Sequence, residues 1–314
     1  MKVTAAFFRL IRWPNLVFIV FTQLLFFYCI YSPLLPVHSG LPQEKIFYLL
    51  VAASVLIAAA GYIINDYFDL RIDAINKPKK VIVDRYIKRR WAIVLHWIFS
   101  GAGILLSLYI SYKTGVWLIA IANFICVLLL WFYSTSLKTK LLSGNIIISA
   151  LAAWVILVVY LFAGADILSI TGWKPIQGLD IKKLFLFTML YAGFAFMMTI
   201  IREVIKDLED MEGDRKYQCN TMPIAWGVPA AKVFTAVWIV VSIACLGVIL
   251  VYAWQSGRWE GALYILLFLI LPLAGLLWKL PRAIVPADFH HLSNVSKAVM
   301  LAGILSMLLI KFTA

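Results

Sequence analysis

Charge is scarce in this sequence. Of its 314 residues, 14% are Asp, Glu, Lys or Arg and 64% are hydrophobic, whereas a soluble domain holds about a quarter charged and about half apolar. That shortage excludes a soluble helical bundle, because many segments are apolar all round and have no face to give to water. Cysteine and histidine are rarer still, with four of each. Cys29, Cys126, Cys219 and Cys245 are far apart. They show no metal-binding or redox spacing and read as small hydrophobes. His290 and His291 adjoin, but neighbours in sequence do not share a helical face, so they read as interfacial or loop residues. Acidic side chains number 15 against 28 basic ones. The basic excess carries no aromatic-basic interleaving and no recognition helix, which argues against a nucleic-acid partner.

What the chain has instead is long apolar runs. Nine approach or exceed the roughly 20 residues that cross a bilayer core, centred on 15–33, 46–65, 92–110, 115–133, 143–163, 185–203, 231–253, 259–278 and 295–312. The expected architecture is an all-α, multi-pass membrane protein with one membrane-embedded domain over 1–314. The first run follows Lys2, Arg9 and Arg12, is longer than a signal h-region and lacks a clear cleavage site. It reads as a retained first helix. Basic residues crowd the N-terminus and alternate loops, above all 71–90, which holds Arg71, Lys77, Lys79, Lys80, Arg85, Lys88, Arg89 and Arg90. The positive-inside rule places that side in the cytoplasm of a cell membrane. Anionic membrane lipids account for part of the bias.

Against this background the acidic residues stand out. Asp66, Asp69 and Asp73 follow the second run, and Asp207, Asp210 and Asp214 follow the sixth with the same spacing. Positions i, i+3 and i+7 share one helical face. The outer pair of each set is then about 10 Å apart along the axis. A row of like charges repels itself and is costly beside a membrane, so each set calls for a cation. Two sets in corresponding positions suggest two helices facing each other across a cavity. Carboxylates without His or Cys favour a hard cation, most plausibly Mg²⁺. Mg²⁺ usually keeps several waters and binds through one or two carboxylates plus substrate phosphates.

Donors able to meet a diphosphate lie on the same side. Arg12 and Asn15 open the first span, and Asn65 precedes the first set. Lys79 and Lys80 follow that set; Tyr133, Ser134, Lys138 and Lys140 follow the fourth span; Arg202 and Lys206 precede the second set. Lys88, Arg89 and Arg90 read as topology anchors.

With those residues assembled, the chain resembles the UbiA superfamily of intramembrane prenyltransferases. The family's N-D-x2-D-x3-D motif is met by "NDYFDLRID", with Asn65, Asp66, Asp69 and Asp73. Its D-x3-D group is met by Asp210 and Asp214, with Asp207 one turn earlier. Its YS-x3-K element and following Gly-Asn are met by Tyr133, Ser134 and Lys138, then Gly144 and Asn145. The wording "INDYFDLRIDAINKP" and "REVIKDLEDMEGD" is most similar to archaeal-type members that prenylate a prenylated glycerol phosphate. The usual NRPxRP stretch is here "NKPKKVIV", which keeps a charge at Lys80 and lacks the second proline.

The resemblance implies nine helices around a central cavity opening toward the cytoplasm. It implies an isoprenyl diphosphate donor, Mg²⁺ held by the six aspartates, and Arg12, Asn15, Asn65, Lys79, Lys80, Tyr133, Ser134, Lys138, Asn145, Arg202 and Lys206 as substrate contacts. The lipid acceptor would be a glycerol-phosphate hydroxyl. An aromatic acid, as in quinone synthesis, stays open as the acceptor. An ion or anion carrier is the alternative of another class, because charged groups within a bundle also mark transporters.

Overall fold

The computed structural model describes residues 2–34, 44–76, 78, 81–171 and 180–313. Among the described residues, nine helices are long and apolar enough to cross a membrane. They are Trp13–Leu34, Glu44–Asn76, Arg89–Thr114, Trp117–Leu137, Ser143–Gly164, Ile181–Glu209, Val228–Gln255, Trp259–Arg282 and Pro286–Ile310. Each coincides with one of the apolar runs, and most extend past it at the polar ends.

In chain order the helices are α1 (Lys2–Leu10), α2 (Trp13–Leu25), α3 (Glu44–Asn76), α4 (Arg89–Thr114), α5 (Trp117–Phe132), α6 (Ser143–Thr171) and α7 (Ile181–Glu209). They continue as α8 (Met211–Lys216), α9 (Met222–Ala225), α10 (Val228–Gln255), α11 (Trp259–Tyr264), α12 (Leu271–Lys279) and α13 (Pro286–Thr313). Three spans pass through a π-helical turn, at Phe26–Tyr31, Tyr133–Leu137 and Ile265–Ile270. Pro14, Pro223 and Pro229 sit in the first turns of α2, α9 and α10, where no N–H is needed. Gly115 ends α4 at φ 76° and returns its N–H to Ser111 O at 2.8 Å, a left-handed cap that suits glycine.

The chain forms two compact units, Met1–Leu137 with Trp154–Thr188, and Lys138–Ala153 with Met189–Ala314. In the first, α3 and α4 pack closely because small residues line the contact. A Cβ placed on Gly103 would lie 2.7 Å from Ile57 Cγ1. Such small-residue contacts let backbones approach where lipid supplies no hydrophobic drive. Phe27 and Phe47 stack at 3.9 Å, with Phe162 5.8 Å from Phe47. Buried amides tie the helices: Gln23 Nε2 donates to Ser54 Oγ at 2.9 Å and to Val155 O at 3.1 Å. At the basic end, Val83 and Ile87 turn inward beneath α1, against Ala6, Leu10 and Ala92.

The second unit is built on α7, α10, α12 and α13. Met198, Ile201, Ile205, Leu208, Leu273, Leu276, Phe289 and Leu292 form its core. Lys232 Nζ on α10 donates to Ala283 O at 2.7 Å and Pro281 O at 3.0 Å, and so satisfies carbonyls left over where α12 ends. Asp288 accepts from the N–H groups of Ile284 and Val285 at 2.9 and 3.1 Å, which fixes the entry to α13.

The first acidic set lies wholly on α3, which runs past the apolar run to Asn76, as its helical spacing implies. Two expectations are corrected here. The second set is not one continuous stripe. The α7 helix stops at Glu209, Asp210 takes φ −97° and ψ 7°, and Asp214 stands on α8. Asp210 and Gly213 are both poor helix formers. The bonds Asp210 N–H to Lys206 O (2.9 Å) and Asp214 N–H to Asp210 O (3.2 Å) keep the chain turning through the break. Finally, His290 and His291 are helical, within the first turns of α13.

Candidate functional site

In the first unit, α3 presents Asn65, Asp66, Asp69 and Asp73 on successive turns. Asn65 Nδ2 donates to Asp69 Oδ2 at 2.7 Å, an i,i+4 contact that fixes the plane of a buried carboxylate. Asn65 Oδ1 is itself buried with no hydrogen-bond partner. Asp66 Oδ1 receives Arg12 Nη2 at 2.7 Å.

Arg12 reaches it from a turn between α1 and α2. Its backbone is left-handed, φ 51° and ψ 52°, a conformation uncommon for a side chain of this size. Asn15 N–H and Arg12 O close the turn at 2.8 Å. The guanidinium also lies 5.1 Å from the Tyr62 ring centroid, a cation–π distance. Burial works against the Arg12 charge, but Asp66, Tyr62 and Asp73 outweigh it and hold the group above its ordinary range. It is a permanent cation set beside the first carboxylate set.

Ser134 is buried on the π-helical turn after α5, where its hydroxyl donates to Leu130 O at 2.9 Å. It serves the helix, while Tyr133 beside it is half-buried. Lys79 and Lys80 lie outside the described residues.

In the second unit, Asn145 Nδ2 on α6 donates to Asp207 Oδ2 on α7 at 2.8 Å. Asn220 N–H donates to Thr139 O at 2.7 Å, which fastens the turn after α8 to the segment that carries Lys138. Cys219 sits within that turn, buried. Burial, then Asp214, push its thiol above the ordinary range; Lys138 opposes them and Asp207 adds to the rise. Lys138, Asp207 and Asp214 therefore all act electrostatically on one buried thiol.

Glu203 was missed by sequence reasoning. It is buried and shared: Arg202 Nη1 donates to Oε1 and Lys206 Nζ to Oε2, each at 2.9 Å. The signal was available, since Glu203 lies between two basic residues at i−1 and i+3. One carboxylate thus orients both expected phosphate donors of α7.

Among the described residues, no three His, Cys, Asp or Glu side chains converge to hold a metal ion by themselves. The carboxylates present are hard oxygen donors, the kind that Mg²⁺ takes in ones and twos, completing its shell with water and phosphate. Asp66, Asp69, Asp207, Asp210 and Asp214 fit that use.

The fold and these polar clusters define a polytopic helical membrane protein whose ionisable groups gather at helix ends. The chain belongs to the UbiA prenyltransferase family, whose model matches residues 24–288. Over 280 residues it is 32% identical to the digeranylgeranylglyceryl phosphate synthase of Methanospirillum hungatei, covering 86% of this chain and 88% of that protein. It is 34% identical over 209 residues to the corresponding synthase of Methanoregula boonei, covering 67% of this chain. It is 32% identical over 198 residues to that of Methanothermobacter thermautotrophicus, covering 62% of this chain. The chain spans 66% and 62% of the length of those last two relatives.

Solved structures share the fold. A structure of digeranylgeranylglyceryl phosphate synthase in membranes superposes with a TM-score of 0.64 at 21% identity, over 100% of both chains. A UbiA homologue from Archaeoglobus fulgidus bound to dimethylallyl diphosphate (DMAPP) and Mg²⁺ gives 0.55 at 16% identity, over 96% of this chain and 98% of that one.

Proposed function

We propose that this protein transfers an isoprenyl group, geranylgeranyl by likeness to its relatives, from its diphosphate to the hydroxyl of a prenylated glycerol phosphate, with Mg²⁺ as cofactor. The observation that carries the reading is the pair of amide–carboxylate contacts, Asn65 to Asp69 and Asn145 to Asp207. Each holds a carboxyl plane fixed at a position of the family's motifs, in a chain 32% identical to a named synthase over 280 residues.

When bound, Mg²⁺ supplies positive charge to a diphosphate leaving group. Asp66, Asp69 and Asp73 on α3, Asp207 on α7, Asp210 in the break after it and Asp214 on α8 are the groups that would hold it. Arg12, Lys138, Arg202 and Lys206, with Lys79 and Lys80, stabilise phosphate oxygens as negative charge grows on them. Asn65 and Asn145 orient the carboxylates of Asp69 and Asp207, and Asn15 and Tyr133 contact the substrate. The C1–O bond breaks with its electron pair going to diphosphate. The allylic carbon then bonds the acceptor oxygen, whose proton leaves. Apolar helix walls keep out water that would hydrolyse the donor.

The reaction belongs on the cytoplasmic face in this reading. It is supported by the basic residues at Arg9, Arg12 and 85–90 beside the first carboxylate set, and at Lys138, Arg215 and Lys216 beside the second.

The test offers the detergent-solubilised protein labelled geranylgeranyl diphosphate, Mg²⁺, and a mixture of geranylgeranylglyceryl phosphate, 4-hydroxybenzoate and dihydroxynaphthoate. A mass gain on the glycerol lipid, lost with chelator and in Asp66→Ala and Asp210→Ala, is the expected result. Gain on an aromatic acid would replace the acceptor. No transfer to any acceptor by folded protein would overturn the reading.

A further inference from the structure

Helix α1 is nine residues long, too short to be stable alone in water, so what it lies on decides whether it forms. Its inner face is accounted for. Ala6 and Leu10 are buried against Ile82, Val83, Ile87 and Ala92. Phe7 reaches Phe99 of α4 at 6.2 Å between ring centroids. Phe99 stands ten residues beyond Arg89, the start of α4, or about 15 Å along the axis. Helix α1 therefore lies alongside the first turns of a membrane span, at the depth where lipid headgroups meet acyl chains. Its outer face carries Phe8 and Arg9, both exposed.

The neighbouring turn between α3 and α4 is two-sided in the same way. Asp84 N–H donates to Ile87 O at 2.8 Å, and Tyr86 N–H to Ile82 O at 2.9 Å. The pinch packs Ile82, Val83 and Ile87 under α1 and leaves Asp84, Arg85 and Tyr86 exposed. Phe8, Trp13, Tyr86 and Trp91 are each between 45% and 55% exposed. Arg85 lies over the Tyr86 ring at 5.6 Å and Arg89 over Tyr67 at 4.8 Å. Residues 2–13 and 81–91 hold seven basic side chains, and Asp84 is their single acid. Arg12 is answered by Asp66. Among the described residues, no carboxylate pairs with Arg9, Arg85, Lys88 or Arg90. Exposed aromatic rings beside unpaired cations suit neither bulk water nor lipid tails. They suit a headgroup layer that carries negative charge.

We propose that α1 and the 82–87 turn form a docking surface for anionic phospholipid headgroups, and that docking holds Arg12 on Asp66. The surface stands apart from the prenyl-transfer reading, and its effect on turnover rests on that reading. Arg12 is the joint. Helix α1 ends at Leu10, α2 begins at Trp13, and Arg12 between them is left-handed at φ 51°. A side chain of this size keeps such a backbone only where its surroundings impose it. Its N–H donates to Arg9 O at 3.0 Å, and its carbonyl accepts Asn15 N–H at 2.8 Å. The last turn of α1 and the first of α2 thus meet on this one residue. A seated α1 fixes the turn, and the turn aims the guanidinium at Asp66, 2.7 Å away. An α1 that unravels frees Arg12 to relax to ordinary backbone angles and leave the carboxylate. Phe8 and Trp13 supply the apolar part of the seat; Arg9 and the cations of the turn supply the charge. A neutral leaflet satisfies only the first.

The experiment places the full chain in nanodiscs of phosphatidylglycerol or of phosphatidylcholine, as wild type, Arg9→Gln, Phe8→Ser and Arg12→Ala. Hydrogen exchange read by mass spectrometry follows the peptide spanning 2–12. Wild type should exchange there about tenfold more slowly in phosphatidylglycerol, the effect of one or two basic side chains at an anionic surface. The difference should shrink at about 1 M salt, where the screening length is about 3 Å. Arg9→Gln should lose part of the protection in phosphatidylglycerol alone, and Phe8→Ser should lose part in both lipids. Equal exchange in the two lipids, or a change of the same size across Val228–Gln255, overturns the surface. Donor kcat/KM is the second measurement. It should fall in phosphatidylcholine by up to about tenfold, the loss expected for Arg12→Ala, and Arg12→Ala should itself ignore lipid charge. An Arg12→Ala that still responds to lipid charge, or a wild type that does not, overturns the link to Asp66. Lipid-dependent protection of α1 in a protein that transfers nothing would overturn the prenyl-transfer reading and leave the surface standing. Transfer by a protein whose α1 ignores lipid charge would do the reverse.

Discussion

Asn145 and Asp207 meet across α6 and α7, Nδ2 to Oδ2, at 2.8 Å. The contact ties an amide of one helix to a carboxylate of the next, so Asp207 cannot turn its carboxyl plane without losing a partner. On α3 the same job is done within one helix, by Asn65 and Asp69 at 2.7 Å. Charged acceptors make the stronger hydrogen bonds, and partners behind a metal ligand commonly govern how tightly it binds.

A weakened metal site follows when either amide is removed. Asn145→Ala and Asn65→Ala should each raise the Mg²⁺ concentration for half-maximal transfer by about 10- to 100-fold, the usual effect of losing such a partner. High Mg²⁺ should recover most of the rate. A Mg²⁺ titration of turnover reads this directly. An unchanged midpoint would remove both amides from any role at the metal.

Arg12 should matter for its fork as well as its charge. It reaches Asp66 at 2.7 Å and lies over Tyr62. Arg12→Ala loses a hydrogen bond to a charged group, of about 1.5–3 kcal/mol, and its side chain is 36% exposed, which favours the low end. The expected loss in kcat/KM for the donor is about tenfold. Arg12→Lys keeps the charge but not the planar geometry and should recover only part. Full recovery by lysine would show that charge alone is required.

The sequence made some of this legible and hid the rest for physical reasons. The apolar runs marked all nine spans because lipid forces every residue of a crossing helix to be apolar or paired. The aspartates were visible because carboxylates in such runs are costly. Hydropathy stops where polar residues begin, however, and a helix does not. So the last run seemed to begin at 295, although α13 begins at Pro286 and carries His290 to Glu209. The break at Asp210 was hidden for a related reason: regular spacing cannot show a change of φ and ψ between evenly spaced aspartates. The tie from Glu209 to His290 was hidden because only the register of α7 against α13 brings the two together, and no local pattern encodes that register.

Cys219 offers a probe of the second carboxylate set. Burial and the carboxylates of Asp214 and Asp207 raise its thiol, and Lys138 is the opposing cation. A raised thiol carries less thiolate at a given pH, and only thiolate reacts. Alkylation of Cys219 in the folded protein should therefore be slow at neutral pH and quicken as pH rises. Lys138→Gln removes the opposing charge, so it should slow labelling further at every pH below the thiol's titration. Peptide mass spectrometry after timed maleimide exposure follows the site individually. Faster labelling in Lys138→Gln would mean that Lys138 does not act on this thiol.

The α7–α13 contact can be tested by crowding it. A Cβ on Gly303 would lie 2.2 Å from Phe194 Cε1 and 2.9 Å from Cζ, so even alanine requires the ring to move. Ring displacement in a packed contact costs about 1–3 kcal/mol. Gly303→Ala should lower the thermal midpoint of the detergent-solubilised protein, and Gly303→Leu should lower it more. Phe194→Leu costs some packing alone but makes room, so the double variant Phe194→Leu/Gly303→Ala should be more stable than the sum of its singles. Contacting residues couple in this way, whereas distant ones add. Simple additivity would mean that the two helices do not meet at this point.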